Sequence, residues 1–599
     1  MRAIRLCSLG LAILLLAGPG APGTALGKGT VARAPARTAP RLAAQGAFIA
    51  PLETSPGLSS GFGEFRDAHF HAGLDYSTEQ VEGKPVRAVL GGWVERVRAS
   101  GIGYGRAIYL RLSDGHTAVY GHLSRFAPPL DNWVAARQET AGVYEQDLNP
   151  APHEIAFKQG DVIAWSGQSG AGPPHLHFEL RQGDMNLNPL EHGFALPDKT
   201  SPTLAAAALS PAGPRSRVGA GVEAARIALK AGQVVTAPPV RGPFDLEVDT
   251  FDRGDGRPNR LATYRLEVRL DGREAFLAEI DSVSWDDATE VECVYDYART
   301  LAGDDTWRRL RLLPTYRAGV IRRGPSVWSL TPGTHRFEFI ATDEAGNRAR
   351  AVLDVPVLPA DSAPAPAPET AGDTAGVTRC AGVAGPCTVE ARADGLALDL
   401  ALPAGSRFAP ALLATRTLPP DTVAPGLVAL GAGIDVAPAE LVLRAAAQVT
   451  GRGPLAMPGE PAPRGLFLRQ QRAWSFVTAL DSAGAFKGSS RRIGAFAVFA
   501  DTTRPTIVPA AAYHWPAPKG DAPLPAVAAA IRDHGAGLSA REQSIYVDDR
   551  RVPAEYDPEA GRLTWRPRAR LTPGRHVVRI EAVDRLGNRA VATVPLEVE

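Results

Sequence analysis

The sequence predicts an all-β protein of about four domains, whose C-terminal part is a series of β-sandwiches. Three observations carry this expectation. The chain has 599 residues, which suits four units of roughly 150 residues each. Two stretches occur twice: LTPGTHRFEFIATDEAGNRA at Leu330–Ala349 returns as LTPGRHVVRIEAVDRLGNRA at Leu571–Ala590, and DKTSPT at Asp198–Thr203 returns as DTTRPT at Asp501–Thr506. Within the long repeat, apolar and polar residues alternate over Arg336–Ala341 and Val577–Ala582, the period of a half-buried strand. Gly346-Asn347 and Gly587-Asn588 then supply a turn that tolerates positive φ.

The long repeats lie 241 residues apart and the short ones 303, so the simplest reading is one sandwich type used twice, with about 62 extra residues in the first copy. That places the copies at 198–357 and 501–599. The pattern resembles the bacterial immunoglobulin-like sandwiches that end in D-x-x-G-N, domains whose ordinary work is spacing or surface binding. Between the copies, 358–376 (LPADSAPAPAPETAGDTAG at Leu358–Gly376) reads as a linker. Residues 377–500 break short apolar runs such as Leu396–Leu402 and Ala495–Ala500 with Pro and Gly, and read as a further β-sandwich. The 61 Gly and 52 Pro fall short of the fraction that marks a wholly disordered chain.

Arg2 and Arg5 precede an apolar stretch, Leu6–Ala17, and then small residues through Gly27. This is a secretory signal pattern over 1–27, too short to span a bilayer, and 28–45 reads as a linker behind it. Cys7 lacks the small-residue box of a lipoprotein, so no membrane anchor is expected after cleavage, and the mature protein is expected to be periplasmic or extracellular. In that compartment Cys380 and Cys387 are near enough to form a local disulfide, leaving Cys293 alone. Lys and Arg total 65 against 64 Asp and Glu, a balance that argues against a nucleic-acid partner.

Histidine is where the sequence stops being uniform. Eight of the 12 lie at positions 69, 71, 116, 122, 153, 175, 177 and 192. Three patterns stand out among them and contain four of the eight: HAGLD at His71–Asp75, YGHL at Tyr120–Leu123 and GPPHLHFEL at Gly172–Leu180. On a strand His175 and His177 point to one face, with Leu176 and Phe178 turned to a core. His71 and Asp75 are four apart, with Gly73 between them allowing a bend. Two imidazole nitrogens and one carboxylate make the three-ligand set of a catalytic zinc site, with a fourth position left for water.

Together and in this order, the three patterns resemble the lysostaphin/LytM-type zinc endopeptidases, which cut peptide bonds of bacterial peptidoglycan. VRAVLGGWVERV (Val86–Val97), GYGRAIYLRLSDGHTAVYGHL (Gly103–Leu123) and KQGDVIAWSGQSGAGPPHLHFEL (Lys158–Leu180) extend the likeness over 46–197. The resemblance implies a small, mostly antiparallel β domain (the duplicated hybrid motif) with a groove above a Zn2+ ion. By position it implies His71, Asp75 and His177 as ligands and His122 and His175 as catalytic histidines that do not bind metal. It implies peptidoglycan as substrate. The alternative is a non-catalytic, wall-binding or amidase-activating relative, against which the complete ligand set counts. The C-terminal β domains are expected to offer a surface to the wall or to a protein partner.

The remaining histidines are expected to be supporting: His69 packing beside the ligands, His116 and His153 on turns, His192 structural. Glu179 is expected as an exposed strand carboxylate, the alternative being that it orients a ligand histidine. A 30-residue excursion, 127–156, separates the second and third patterns; it is expected to hold a short helix near Leu130–Gln138 and either to wall or cover the groove or to be a packed excursion that only props the fold.

Overall fold

The computed structural model describes residues 48–598 except 54, 56, 214, 256–257, 302, 304–305, 360–375, 422–423, 455–462, 471–472, 511–512 and 515–524. The expected signal segment and first linker, and nearly all of the 358–376 linker, lie outside these residues. Strands dominate throughout, and the protein is all-β. No helix among the described residues is long and apolar enough to cross a membrane.

The first region is built on one antiparallel sheet. Its path runs Leu58–Ser60, Leu74–Ser77, His175–Gln182, Thr117–Phe126, Arg106–Leu112, Gly92–Ala99. Alternation explains the central strand: Leu176, Phe178 and Leu180 are fully buried and join Leu74 and Tyr120 in the core. Each such side chain contributes roughly 1.5–3 kcal/mol by leaving water. The register sets His177 opposite both Asp75 and Gly121. The excursion contains the helix Leu130–Ala141, which sends Leu130 and Val134 into the same core.

Past residue 197 the apolar core does not stop. It extends from Leu52 to Val357, and the strand Ser282–Ser284 pairs with Met185–Leu187, adding an edge to the first sheet.

The two repeats are one architecture. In the first, Thr203–Pro211 pairs with Phe244–Phe251, which pairs with Trp307–Arg309. In the second, Thr506–Pro509 pairs with Pro525–Arg532, which pairs with Arg562–Trp565. The facing sheets also match: Arg265–Leu270 and Ser544–Val547 each lie between a hairpin partner and a long closing hairpin, Gly333–Leu358 or Gly574–Val598. Most of the extra length of the first copy falls in three places: the strands between Pro211 and Phe244, the helical turns Trp285–Leu301, and the stretch between Arg309 and Gly333 that carries the strand Ile321–Arg323. Residues 376–501 form two further sheets around their own core, and Cys380 and Cys387 are disulfide-bonded.

The regions also touch one another. Arg444 of the middle region pairs with Glu290 of the first sandwich at 2.6 Å. Arg106 of the first sheet pairs with Glu555 of the last sandwich at 2.8 Å.

Candidate active site

Three adjacent strands bring the predicted residues together. Asp75 lies on Leu74–Ser77, His175 and His177 on the next strand, and His122 on the one beyond. His71 sits just ahead of the first, and the loop that follows it must pass tightly under the central strand. A Cβ on Gly73 would stand 2.2 Å from the Phe178 carbonyl oxygen, so this glycine is required for close approach.

His71 Nε2, Asp75 Oδ1 and His177 Nδ1 form a triangle with edges of 2.9–3.1 Å. All three residues are buried. Each imidazole is oriented from behind. His71 donates through Nδ1 to the Gly61 carbonyl oxygen at 2.6 Å, and His177 donates through Nε2 to Glu179 at 2.8 Å. Carbonyl oxygens only accept, so the tautomer of His71 is fixed and its Nε2 lone pair faces the triangle. Two nitrogens and one carboxylate oxygen converging in this way can hold a divalent metal ion.

His122 and His175 adjoin the triangle, their ring centroids 4.5 Å apart. His122 donates through Nδ1 to the Ser169 carbonyl oxygen at 2.9 Å, and His175 through Nδ1 to the Pro173 carbonyl oxygen at 2.7 Å. The Nε2 of each is left facing the site, and that of His175 lies 3.6 Å from Asp75 Oδ1. His122 reaches this position by a backbone device. On a regular strand it would follow Ala118 and Tyr120 into the core. Its φ of +57° reverses the alternation, so Leu123 takes the core side and His122 the open side. A positive φ at a non-glycine residue is strain that the surrounding sheet must hold.

The protonation states follow from the surroundings. Burial pushes His71 down to about 4, against the pull of Asp75. Burial, with His175 and His177 beside it, pushes His122 down to about 3. His177 is also buried, yet hydrogen bonds to Asp75 and Glu179 more than offset that and lift it to about 9. Asp75 is held well below the usual carboxylate range despite its burial, chiefly by His71 and His177.

Glu179 departs from the sequence expectation. It is fully buried, not an exposed strand carboxylate, and accepts hydrogen bonds from His177, from the Tyr104 hydroxyl at 2.5 Å and from Arg181 Nε at 2.5 Å. Burial would raise it, but Arg181 first and then His177 and Tyr104 hold it at about 2. The strand alternation that puts His175 and His177 on one face also puts Glu179 and Arg181 there, and that signal identifies them. Arg66, whose Nη2 lies 3.6 Å from Asp75 Oδ2, has no comparable signature. His69 stays outside the triangle and contacts the Asp67 carbonyl oxygen at 3.0 Å. His116 pairs with Asp114, His153 packs on Trp93, and His192 closes a short 3-10 turn.

The His71–Asp75–His177 cluster with its two attendant histidines can now be set beside known proteins. Residues 69–158 match the model of peptidase family M23. This chain carries an M23 peptidase domain. Over 137 residues it is 30% identical to the DD-carboxypeptidase/endopeptidase Mpg of Neisseria meningitidis, a match covering 23% of this chain and 26% of that one. Over 121 residues it is 34% identical to an uncharacterized metalloprotease of Haemophilus influenzae, covering 20% of each. The chain thus spans about a quarter of the length of the curated relatives it matches. Among solved structures, the catalytic domain of the antimicrobial peptidase lysostaphin from Staphylococcus simulans is 27% identical, with a TM-score of 0.15, over 20% of this chain and 75% of that one. A zinc-containing peptidase from Vibrio cholerae is 25% identical, with a TM-score of 0.17, over 22% of this chain and 36% of that one.

The M23 domain is flanked by the last sandwich. Glu559 accepts from the Gly172 backbone N–H at 2.9 Å, three residues before His175, while Glu555 takes hydrogen bonds from Arg106 and from Tyr144 of the excursion. The excursion also pairs Asp131 with Arg568 at 2.5 Å. Its outer side is thus a dock for the last sandwich.

Proposed function

We propose that this protein is an exported zinc metalloendopeptidase that hydrolyses peptide bonds in peptidoglycan stem peptides or crosslinks. The observation that carries the reading is the His71–Asp75–His177 triangle with two further imidazoles presenting Nε2 beside it. The donor set fits zinc: ligands about 2.0 Å from a tetrahedral ion stand about 3.3 Å apart, close to the edges observed. Zinc bound there supplies Lewis acidity, polarising a peptide carbonyl and acidifying water.

The chain's own groups supply the rest. Glu179 orients His177, and the Gly61 carbonyl orients His71, so the ligands are fixed before metal arrives. His122 and His175 are proton carriers: a neutral Nε2 accepts the proton of the attacking water, and a protonated one stabilises the oxyanion or delivers the proton to the leaving amine. The flanking sandwiches favour a substrate that is large and surface-bound, as a cell wall is.

Digestion of purified muropeptides by the full-length protein, with products identified by mass spectrometry, tests the reading. The expected result is cleavage at one class of peptide bond and near-stoichiometric zinc by elemental analysis. His71→Ala and Asp75→Ala should lose both. Intact muropeptides after incubation with the zinc-loaded protein would leave only the non-catalytic role.

A further inference from the structure

Away from the catalytic groove, each of the two repeated sandwiches gathers three aspartates at one end. Asp198, Asp252 and Asp343 each place a carboxylate oxygen within 4.8 Å of the others, and so do Asp501, Asp533 and Asp584. The members correspond position by position. Asp198 and Asp501 each stand five residues before the first strand of their repeat, at Thr203 and Thr506. Asp252 and Asp533 each directly follow the second long strand, which ends at Phe251 or Arg532. Asp343 and Asp584 each directly follow the first arm of the closing hairpin, which ends at Thr342 or Val583.

Two features show that the carboxylates lack something. Asp252 is 4% exposed, and its Oδ1 has no hydrogen-bond partner; the Oδ1 of Asp533 is buried and unpartnered in the same way. An orphaned buried carboxylate oxygen is costly, and here the same atom is orphaned in both copies. Counter-charge is also missing. Elsewhere this arginine-rich chain answers its buried carboxylates with guanidinium groups: Glu555 meets Arg106 and Arg566, Glu290 meets Arg444 and Arg317, Glu581 meets Arg579 and Arg589. Among the described residues no Lys or Arg pairs with any of the six aspartates. Burial, reinforced by Asp343, Asp198 and Asp255 against the Arg253 backbone N–H, pushes Asp252 up to about 7. Gly535 leaves the room such a site needs, since a Cβ there would lie 1.9 Å from Asp501 Oδ2.

We propose that each triad binds one calcium ion, and that the two ions clamp each sandwich to the segment that enters it. The ligands are oxygens alone, with no imidazole or thiolate, which selects a hard cation over zinc. They come from three separate loops, an adaptable arrangement that suits calcium better than the rigid octahedron of magnesium. Asp198 lies on the segment leaving the M23 domain, and Asp501 ends a strand of the preceding sandwich. Each ion therefore joins an incoming segment to two loops of the next fold. The second clamp sets the sandwich whose Glu555 and Glu559 border the catalytic domain.

The full-length protein, stripped of metal and reloaded with zinc so that the histidine site is filled, is dialysed against calcium chloride and its calcium content measured. Thermal unfolding is followed in parallel with calcium or magnesium chloride. Two calcium ions per chain are expected, one after Asp252→Asn or Asp533→Asn, and none in the double variant. At about 10 mM calcium the melting temperature of the unaltered protein should rise by about 4 °C or more, and that of the double variant should not. The Asn variants also reverse sign: without calcium they melt at or above the unaltered protein, because a repelling charge is gone, and with calcium they melt below it. Absence of bound calcium in the unaltered protein, calcium retained in the double variant, or an equal response to magnesium would overturn the assignment.

Discussion

The M23 domain and the repeated sandwiches both bring carboxylates into crowded, largely buried places, and they resolve the crowding differently. Around Asp75 the neighbours are imidazoles, each backed by a carbonyl or a carboxylate, and two of them keep an Nε2 free beside the cluster. Around Asp252 and Asp533 the side chains that converge are other aspartates, with backbone N–H groups such as those of Gly535 and Gly537 beside them and no pair of backed imidazoles like that around Asp75. The first arrangement suits the hydrolysis proposed for it, and the second the proposed clamping of chain segments. A metal-ligand count alone would rank them as equals; the groups beside the ligands separate them.

That contrast can be broken most sharply at the ligands. His71→Ala or Asp75→Ala should reduce peptide hydrolysis to background and remove zinc, while the two calcium ions stay. Next in size, His122→Ala and His175→Ala should each lower kcat about 10²–10⁴-fold with zinc content unchanged. Retained turnover in either variant would remove that histidine from the reaction. Smaller again, Glu179→Gln should weaken zinc binding about 10–100-fold by releasing His177, with kcat largely recovered when zinc is in excess. A competition titration against a zinc-selective chelator reads that change; affinity equal to the unaltered protein would make Glu179 a packing residue only.

How legible these sites were differs for physical reasons. HLHFEL was informative because a strand's period of two is rigid: once His175 and His177 share a face, Leu176 and Phe178 must enter the core, as they do. The same rule carried one step further gives Glu179, whose burial depends on Tyr104 and Arg181 arriving from elsewhere. His122 was found by its motif and not by its period, which would have buried it; the positive φ that rescues it has no signature in a single sequence. Gly73 was read as a bend, which it is, and it also gives the clearance beneath Phe178. The two closing hairpins were legible because 11 of the 20 positions in Leu330–Ala349 and Leu571–Ala590 are identical, including the Gly-Asn of both turns. The acidic triads were not, because Asp252 and Asp533 lie outside the quoted repeats, share only the short pattern D-x-G-x-G, and meet their partners through tertiary folding.

A third way of settling crowded carboxylates gives the smallest test. In the first sandwich Glu247 lies against Asp296, and here Arg299 and Arg309 are at hand, 3.1 Å and 3.7 Å from Glu247. Burial, then the hydrogen bond and charge of Asp296, lift Glu247 to about 7, while Asp296 is held below its ordinary value. The pair therefore shares one proton and needs no metal. A carboxyl raised in the folded state gives stability that is complete below its unfolded value of about 4.5 and is lost as pH rises through about 7. Glu247→Gln removes that loss. Relative to the variant, the unaltered protein should lose on the order of 1–2 kcal/mol between pH 5 and pH 8, read from urea unfolding of the first sandwich, and added calcium should leave this interval unchanged. Parallel pH profiles for the two proteins would mean that Glu247 ionises freely beside its arginines. An interval that collapsed on adding calcium would place a cation at this pair, and the distinction between carboxylates settled by a proton and those settled by a metal would fail.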